Sequence, residues 1–198
     1  PYVDVLMGTR GVIRSCISPA QRVARCVRVT YDSTVLYDDM SNGGGIACDI
    51  ENAIRMDADC MAVQTFIGAS GESRSLELLC RTADAGARYG IPTLGVVAVG
   101  KEMERTEKFF LLATRVLAEN GANIVKSYFC DGFERVAAAC PVPIVIAGGK
   151  KLPELEALEM AYKAIDQGAH GVDMGRNIFQ SDCPAGMAQA IGKVVHEG

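Results

Sequence analysis

The sequence predicts an α/β fold in which parallel strands alternate with crossover helices. Apolar runs of strand length are followed along the chain by amphipathic segments of helix length, which is the pattern of a parallel sheet. The strand–helix unit recurs about every 25 residues, as in (β/α)8 barrels. The chain has 198 residues, 49% of them hydrophobic, and shows no interdomain linker. We therefore expect one barrel domain that spans residues 1–198.

Seven segments have the length and the apolar character of strands. They are Val3–Thr9, Val23–Thr30, Cys60–Ile67, Thr93–Val99, Ala122–Phe129, Ile144–Ala147 and Gly171–Gly175. A TIM (β/α)8 barrel has eight strands in roughly 250 residues, so one unit is missing from this count. If the missing unit is the first, these segments are strands two to eight of the barrel, and the sheet has two open edges.

The helical segments are clearest in the second half of the chain. Pro153 suits the first position of a helix, apolar residues then recur at helical spacing, and Gly168 ends the run. Similar patterns predict four more helices, over Ile46–Met56, Ser73–Tyr89, Thr106–Asn120 and Pro184–His196. The run Gly43–Gly45 lacks the spacing of a dinucleotide or P-loop motif, so we interpret it as a loop and not as a phosphate site.

Charge and cysteine usage exclude several classes of function. The formal net charge is −4 and the basic residues are scattered, so we expect no binding to nucleic acid or to an anionic membrane surface. No apolar run approaches the roughly 20 residues of a membrane span, and the first residues lack the features of a signal peptide, so we expect a cytoplasmic protein. The eight cysteines form no C-x-x-C pair and the chain has only two histidines, which argues against a bound metal.

A lysine interrupts the apolar strand Ala122–Phe129. Strand alternation places Lys126 on one face with Ile124 and Tyr128. Burial disfavours the ammonium form of lysine and frees the amine to attack a carbonyl, so Lys126 is a candidate for forming a Schiff base. The alternative is a lysine at a strand end that reaches solvent or pairs with a carboxylate. This stretch alone does not decide between the two.

Glycine-rich turns follow the last two predicted strands, at Ile146–Lys151 and Asp173–Asn177. In barrels of this class, the loops after strands seven and eight commonly form a phosphate site. Glycine lets backbone N–H groups approach an anion, and the cations in both turns can add charge-assisted hydrogen bonds. Two tight turns that bind nothing are the alternative. The paired occurrence favours phosphate, with Gly148, Gly149, Gly175 and Arg176 as candidate ligands and either Lys150 or Lys151 facing the anion.

Five runs of the sequence closely resemble the archaeal-type class I fructose-bisphosphate aldolase family. They are Val5–Ser15, Gly100–Met103, Lys126–Phe129, Cys140–Pro153 and Gly171–Gln180, and the likeness covers nearly the whole chain. The resemblance implies a TIM barrel in a ring-built homo-oligomer such as a decamer, with no bound metal or cofactor. It also implies that Lys126 is the Schiff-base lysine and that the two glycine turns hold the phosphate of a small-molecule substrate.

Within this family, the chain looks like the thiolase branch. The resemblance implies transfer of an acetyl group from 3-hydroxy-5-phosphonooxypentane-2,4-dione to coenzyme A as co-substrate. The products would be acetyl-CoA and dihydroxyacetone phosphate, in the degradation of the quorum-sensing signal autoinducer-2. A protonated imine on Lys126 would be the electron sink when the carbon–carbon bond breaks.

Some features of the sequence depart from the family pattern. The resemblance implies a further strand with an Asp-His pair before Val3 and a further helix after Gly198. The bisphosphate aldolases carry a tyrosine acid/base near the end of the fifth strand, where this chain has the apolar run Gly95–Val99, which favours thiolysis. A class I aldolase with Tyr128 as catalytic acid/base is the alternative enzyme. A non-catalytic barrel that binds sugar phosphates is the second alternative.

Overall fold

A parallel sheet of seven strands is the centre of the fold, in a computed structural model that describes residues 2–34, 36, 42, 44–99 and 104–197. The strands of the described chain are β1 (Val5–Thr9), β2 (Ala24–Arg28), β3 (Thr30–Tyr31), β4 (Gly45–Ile46), β5 (Cys60–Thr65), β6 (Thr93–Val97), β7 (Ile124–Tyr128), β8 (Ile144–Ala147) and β9 (Gly171–Asp173). β3 and β4 form a separate antiparallel pair, and the other seven lie side by side in chain order, each parallel to the next. All seven predicted strands are confirmed, with most of their ends shortened.

Helices connect successive strands of the sheet. Those of the described chain are α1 (Arg10–Cys16), α2 (Ile50–Arg55), α3 (Glu72–Tyr89), α4 (Glu107–Glu119), α5 (Phe133–Ala139), α6 (Glu154–Asp166), α7 (Arg176–Phe179) and α8 (Pro184–Glu197). In the part of the chain that is described, no helix combines the length and the apolar character needed to cross a membrane. The four longer predicted helices are confirmed as α3, α4, α6 and α8, whereas the short helices α1, α5 and α7 were not predicted.

The predicted helix Ile46–Met56 is wrong in its first half. Ile46 pairs with Thr30 in the small antiparallel sheet, so the chain is extended there. The helix begins only after Asp49, whose carboxylate accepts a hydrogen bond of 2.8 Å from the backbone N–H of Asn52. This side-chain cap fixes where α2 begins.

The runs Gly43–Gly45 and Gly100–Met103 lie partly or wholly outside the described residues. In Gly43–Gly45, Gly43 lies outside them and Gly45 belongs to β4, so this run is not simply a loop. Gly44 has a φ of +50°, and a Cβ atom there would lie 1.7 Å from the carbonyl oxygen of Tyr31, so only glycine fits this position. The run Gly100–Met103 is entirely outside the described residues.

The sheet is buried on both of its faces, as expected for parallel strands covered by helices. On the outer face, Val27, Val63 and Val125 are fully buried in a cluster with helix residues such as Phe110 and Leu117. A second cluster occupies the inner face. Its members are Cys26, Ala62 and Leu94, with the partly buried Cys60, Val96, Ile124 and Val145. This inner cluster shows which residues of each strand point into the barrel.

The sheet is curled, so that strands far apart in its order face each other. Lys126 Nζ on β7 lies 2.8 Å from Asp173 Oδ2 on β9, although β8 separates these two strands in the sheet. At the amino end, His196 of α8 places its Nε2 3.1 Å from Oδ2 of Asp4, just before β1. The fold is therefore a curled parallel sheet with the architecture of a TIM barrel.

Candidate active site

Lys126 and Asp173 form an ion pair inside the barrel. Lys126 Nζ lies 2.8 Å from Asp173 Oδ2, and the two side chains are 14% and 25% exposed. Lys126 follows Ile124 of the inner cluster on the same face of β7. Asp173 ends β9, where its neighbour Val172 packs on the outer side. The pair therefore stands toward the carboxyl ends of the strands, where active sites of TIM barrels lie.

The surroundings of Lys126 differ from the apolar setting that the sequence suggested. The amine has a carboxylate partner, as in the alternative of a paired lysine, but the pair is inside the barrel and not at its outer surface. This arrangement is compatible with Schiff-base chemistry, because a carboxylate at hydrogen-bond distance can accept the ammonium proton. Within the described residues, no three or more His, Cys, Asp or Glu side chains are grouped to hold a metal ion.

Tyr128 is packed against α4 and the loop that precedes it. The centroid of its ring lies 6.2 Å from that of Phe110. The guanidinium carbon of Arg105 stands 4.4 Å from the Tyr128 ring centroid, which is a cation–π contact. These contacts fix the ring at the carboxyl end of β7. Its role as a catalytic acid/base stays a prediction.

The end of β6 presents apolar side chains only. Leu94 and Val96 belong to the inner face. Val97 is 1% exposed and belongs to the outer cluster, and Val99 packs against this cluster. The run Gly95–Val99 therefore offers no acid/base group to the interior of the barrel.

Asn177 ties the two glycine turns together. Its Nδ2 donates a hydrogen bond of 2.8 Å to the carbonyl oxygen of Gly148, and its Oδ1 accepts one of 2.8 Å from the N–H of Leu152. The residue is only 1% exposed. Because Asn177 follows Gly175 and Arg176 directly, these bonds make the loop after β8 and the loop after β9 neighbours. Their role in binding phosphate stays a prediction.

The backbone of these turns depends on glycine. A Cβ atom on Gly148 would lie 3.0 Å from Nδ2 of Asn177, so a side chain would push against this hydrogen bond. Gly149 has a φ of +65°, a conformation that residues with a side chain rarely adopt. Arg176 is exposed beside them and takes part in no ion pair with another described residue. Backbone N–H groups that an anion can approach closely suit an anionic ligand, and so does a guanidinium that forms no ion pair among the described residues.

Two residues of this site were not predicted from the sequence. Asp173 could have been found, because alternation places it on the same face as Gly171 at the carboxyl end of a strand. Asn177 gave no local signal, since its partners Leu152 and Gly148 are 25 and 29 residues away in the chain. Only the folded structure joins them.

Comparison with known proteins identifies relatives along the whole chain. The family model of the DeoC/LacD aldolases matches residues 10–181. An uncharacterized aldolase of Pasteurella multocida (strain Pm70) is 52% identical over 198 residues, which are 100% of this chain and 68% of the relative. A 3-hydroxy-5-phosphonooxypentane-2,4-dione thiolase of Photorhabdus laumondii is 51% identical over 198 residues, which are 100% and 67% of the two chains. The thiolase of the same name from Enterobacter sp. (strain 638) is 53% identical over 195 residues, or 98% and 65%.

Two archaeal aldolases are among the solved structures similar to this chain. A crystal structure of an archaeal fructose 1,6-bisphosphate aldolase has a TM-score of 0.89 at 23% identity and covers 98% of this chain and 79% of its own. A second archaeal structure, with its catalytic lysine bound to a carbinolamine intermediate, has a TM-score of 0.88 at 22% identity, with 97% and 78% coverage. These similarities confirm the TIM-barrel fold. The family model and the relatives at over half identity show that the chain belongs to the DeoC/LacD aldolase family, whose members are enzymes with an aldolase-like mechanism.

Proposed function

We propose that this enzyme transfers an acetyl group from 3-hydroxy-5-phosphonooxypentane-2,4-dione to coenzyme A through a Schiff base on Lys126. The products are acetyl-CoA and dihydroxyacetone phosphate, and the reaction degrades the autoinducer-2 signal. The observation that carries the proposal is the ion pair of Lys126 and Asp173, whose Nζ and Oδ2 atoms lie 2.8 Å apart inside the barrel. Asp173 is two residues before Gly175 in the second glycine turn. The names of the relatives at 51% and 53% identity support the choice of substrate.

The position of the amine relative to the turns matches the chemistry of this substrate. The carbonyl that becomes the ketone of dihydroxyacetone phosphate is one carbon away from the phosphate ester. An enzyme that binds the phosphate and attacks this carbonyl therefore needs its amine close to its anion site. Asp173 meets this need because it contacts Lys126 and leads directly into the loop of Gly175 and Arg176.

The proposed reaction begins with a Schiff base on Lys126 and ends with its hydrolysis. Asp173 accepts a proton from Lys126, and the amine adds to the carbonyl and loses water to give a protonated imine. The thiol sulfur of coenzyme A bonds to the acetyl carbonyl carbon. When that tetrahedral centre collapses, the carbon–carbon bond breaks and its electron pair enters the imine as an enamine. Protonation of the enamine and hydrolysis release dihydroxyacetone phosphate and restore Lys126.

A class I aldolase that cleaves a sugar bisphosphate is the second candidate. Tyr128 favours it, because a phenol on the face of Lys126 could move the proton of a substrate hydroxyl. The contacts of Tyr128 with Phe110 and Arg105 equally suit a packing role. The apolar inner side of β6 favours the thiolase, because an external thiol takes the acyl fragment without a hydroxyl proton having to be moved.

The two candidates differ in their need for coenzyme A. We expect the full-length protein to consume the phosphorylated dione only when coenzyme A is present, and to cleave fructose bisphosphate feebly at most. Lys126→Met should abolish the reaction, whereas Lys163→Met, which changes an exposed lysine of α6, should leave it intact. Brisk cleavage of fructose bisphosphate without coenzyme A, lost in Tyr128→Phe, would favour the aldolase.

We also propose that the enzyme works in the cytoplasm as a ring-built homo-oligomer. The requirement for coenzyme A supports the location. Exposed apolar side chains on α6, with Leu155 at 67% and Tyr162 at 53% exposure, support contact with another copy of the chain. Light scattering of the full-length protein would measure the number of subunits.

A further inference from the structure

Arg28 stands on the inner face of the barrel, at the carboxyl end of β2. Cys26, two residues before it on the same face, belongs to the inner cluster. Ile124 has the same relation to Lys126 on β7. Arg28 and Lys126 are therefore both placed one step beyond the inner cluster, toward the end of the barrel that holds the active site. Among the inward-facing strand residues of the described chain, they are the two cations.

The strand that carries Arg28 shares the inner cluster with the strand that carries Lys126, because Cys26 of β2 and Ile124 of β7 both belong to it. Hydrogen bonding with the neighbouring Cys60 thiol and burial raise the pKa of Cys26, and to a smaller extent the charge of Asp173 raises it and that of Lys126 lowers it. In the order of the sheet, however, β2 is separated from β7 by two strands and from β9 by four. The curl of the sheet thus brings β2 within electrostatic reach of Lys126, with Arg28 nearer the open end than Cys26.

Asp32 holds the guanidinium of Arg28 at this place. Nη2 of Arg28 pairs with Oδ2 of Asp32, and the two side chains are 32% and 5% exposed. Burial raises the pKa of the Asp32 carboxyl group, and the charge of Arg28 opposes that shift. The buried carboxylate anchors one end of the guanidinium.

The ion pair by itself leaves polar groups unsatisfied. In the described part of the chain, Arg28 Nε and Asp32 Oδ1 are buried and have no hydrogen-bond partner. Burying a charge such as that of Asp32 often costs more free energy than the attraction of its partner returns, so this pair is not explained by stability alone. A buried donor without an acceptor is a feature of sites that a ligand completes.

The proposed reaction generates a negative charge on the acetyl carbonyl oxygen, which needs a stabilising group of its own. When the thiol sulfur bonds to the acetyl carbonyl carbon, the carbonyl electron pair moves to oxygen and the thiol proton passes to solvent. In the proposed complex, the phosphate end of the substrate lies at the loops after β8 and β9, and the imine forms on Lys126 of β7. The acetyl end is the far end of the molecule, so it extends away from β9, toward the strands on the other side of β7.

We propose that Arg28 is a catalytic residue that binds the acetyl carbonyl oxygen and stabilises the oxyanion formed by thiol addition, with Asp32 as its positioning residue. This proposal rests on the acetyl transfer proposed above. A fixed donor aimed at a developing oxyanion contributes about 10²–10³-fold to the rate of such reactions. Collapse of the oxyanion restores the carbonyl, breaks the carbon–carbon bond and leaves acetyl-CoA.

The test separates imine formation from acyl transfer. Imine formation is measured by borohydride trapping of Lys126 with dihydroxyacetone phosphate, which has no acetyl end, and acyl transfer by the kcat for acetyl-CoA. We expect Arg28→Met combined with Asp32→Asn, which leaves no unpaired buried charge, to lower kcat by about 10²–10³-fold. Trapping should be unchanged. Arg28→Lys should retain part of the rate, and added guanidinium ion should restore part of it in Arg28→Ala.

Each other outcome would decide against Arg28. An unchanged kcat in the double variant would overturn the catalytic role of Arg28. An equal loss of borohydride trapping and of acetyl transfer, without rescue by guanidinium, would also overturn it, because that result indicates an ion pair that only supports the structure. Failure of the unmodified protein to make acetyl-CoA, with Lys126 still trapped, would sink the proposed thiolysis and this role together. Loss of transfer with trapping intact is specific to Arg28.

Discussion

The side-chain nitrogen of Asn177 donates a hydrogen bond of 2.8 Å to the carbonyl oxygen of Gly148, across 29 residues of sequence. This bond joins the last two loops of the barrel into one surface beside Lys126 and Asp173. A substrate held by both loops would therefore present its neighbouring carbonyl to the amine. The relationship makes the proposed anion site and the proposed nucleophile parts of one structure.

Replacing Asn177 by alanine should damage both stability and phosphate binding. Asn177→Ala leaves the carbonyl of Gly148 and the N–H of Leu152 without partners, which should lower the free energy of unfolding by about 1–3 kcal/mol. KM should rise more for a phosphorylated substrate than for its dephosphorylated analogue. Denaturant unfolding and steady-state kinetics measure the two effects.

A matched control for this variant lies at the other end of the barrel. The side chain of Asn123, just before β7, accepts a hydrogen bond of 2.8 Å from the N–H of Thr93. Asn123→Ala should therefore also destabilise the protein while leaving KM unchanged. If the two variants shift KM equally, Asn177 acts only on stability and does not shape an anion site.

Arg176 should recognise the phosphate group itself. Arg176→Ala removes a charge-assisted contact worth roughly 1.5–3 kcal/mol, so binding of the phosphorylated substrate should weaken accordingly. The dephosphorylated analogue should lose little. Arg88→Ala, at the end of α3, is the control because it removes another exposed arginine. Equal losses for both ligands would show that Arg176 has no specific contact with phosphate.

Asp173 should act in proton transfer to and from Lys126. Asp173→Asn keeps the shape of the side chain but removes its charge and its capacity to accept the ammonium proton. We expect imine formation and kcat to fall by about 10²–10⁴-fold, the usual contribution of a positioned acid/base group. The rate of borohydride trapping measures this step directly. A rate as high as that of Asp166→Asn, which changes an exposed carboxylate at the end of α6, would mean that Asp173 merely packs beside the amine.

The periodic part of the fold could be predicted from the sequence. The seven strands and the four longer helices follow from hydrophobic spacing, because each of them buries a face against the core. The short elements could not be predicted in this way. Helices α5 and α7 have only 7 and 4 residues, and β3 and β4 have 2 each, so they depend on tertiary contacts and not on a repeating pattern.

The site was only partly readable from the sequence. Lys126 stood out because a lysine inside an apolar strand needs a reason, and the glycine turns stood out because they occur as a pair. The carboxylate of Asp173 and the amide of Asn177 act across separate strands and loops. The inward position of Arg28 likewise depends on strand register and on the curl of the sheet. Such relations arise only when distant segments meet.

The most direct measurement is the mass of the lysine-bearing peptide after borohydride reduction. The full-length protein is incubated with dihydroxyacetone phosphate or with the phosphorylated dione, reduced, digested and examined by mass spectrometry. Because a Schiff base needs a free amine at the active site, the added mass should lie on the peptide that contains Lys126. It should vanish in Lys126→Met and persist in Lys163→Met. Labelling of another lysine, or full turnover in Lys126→Met, would contradict the assignment of Lys126 as the nucleophile.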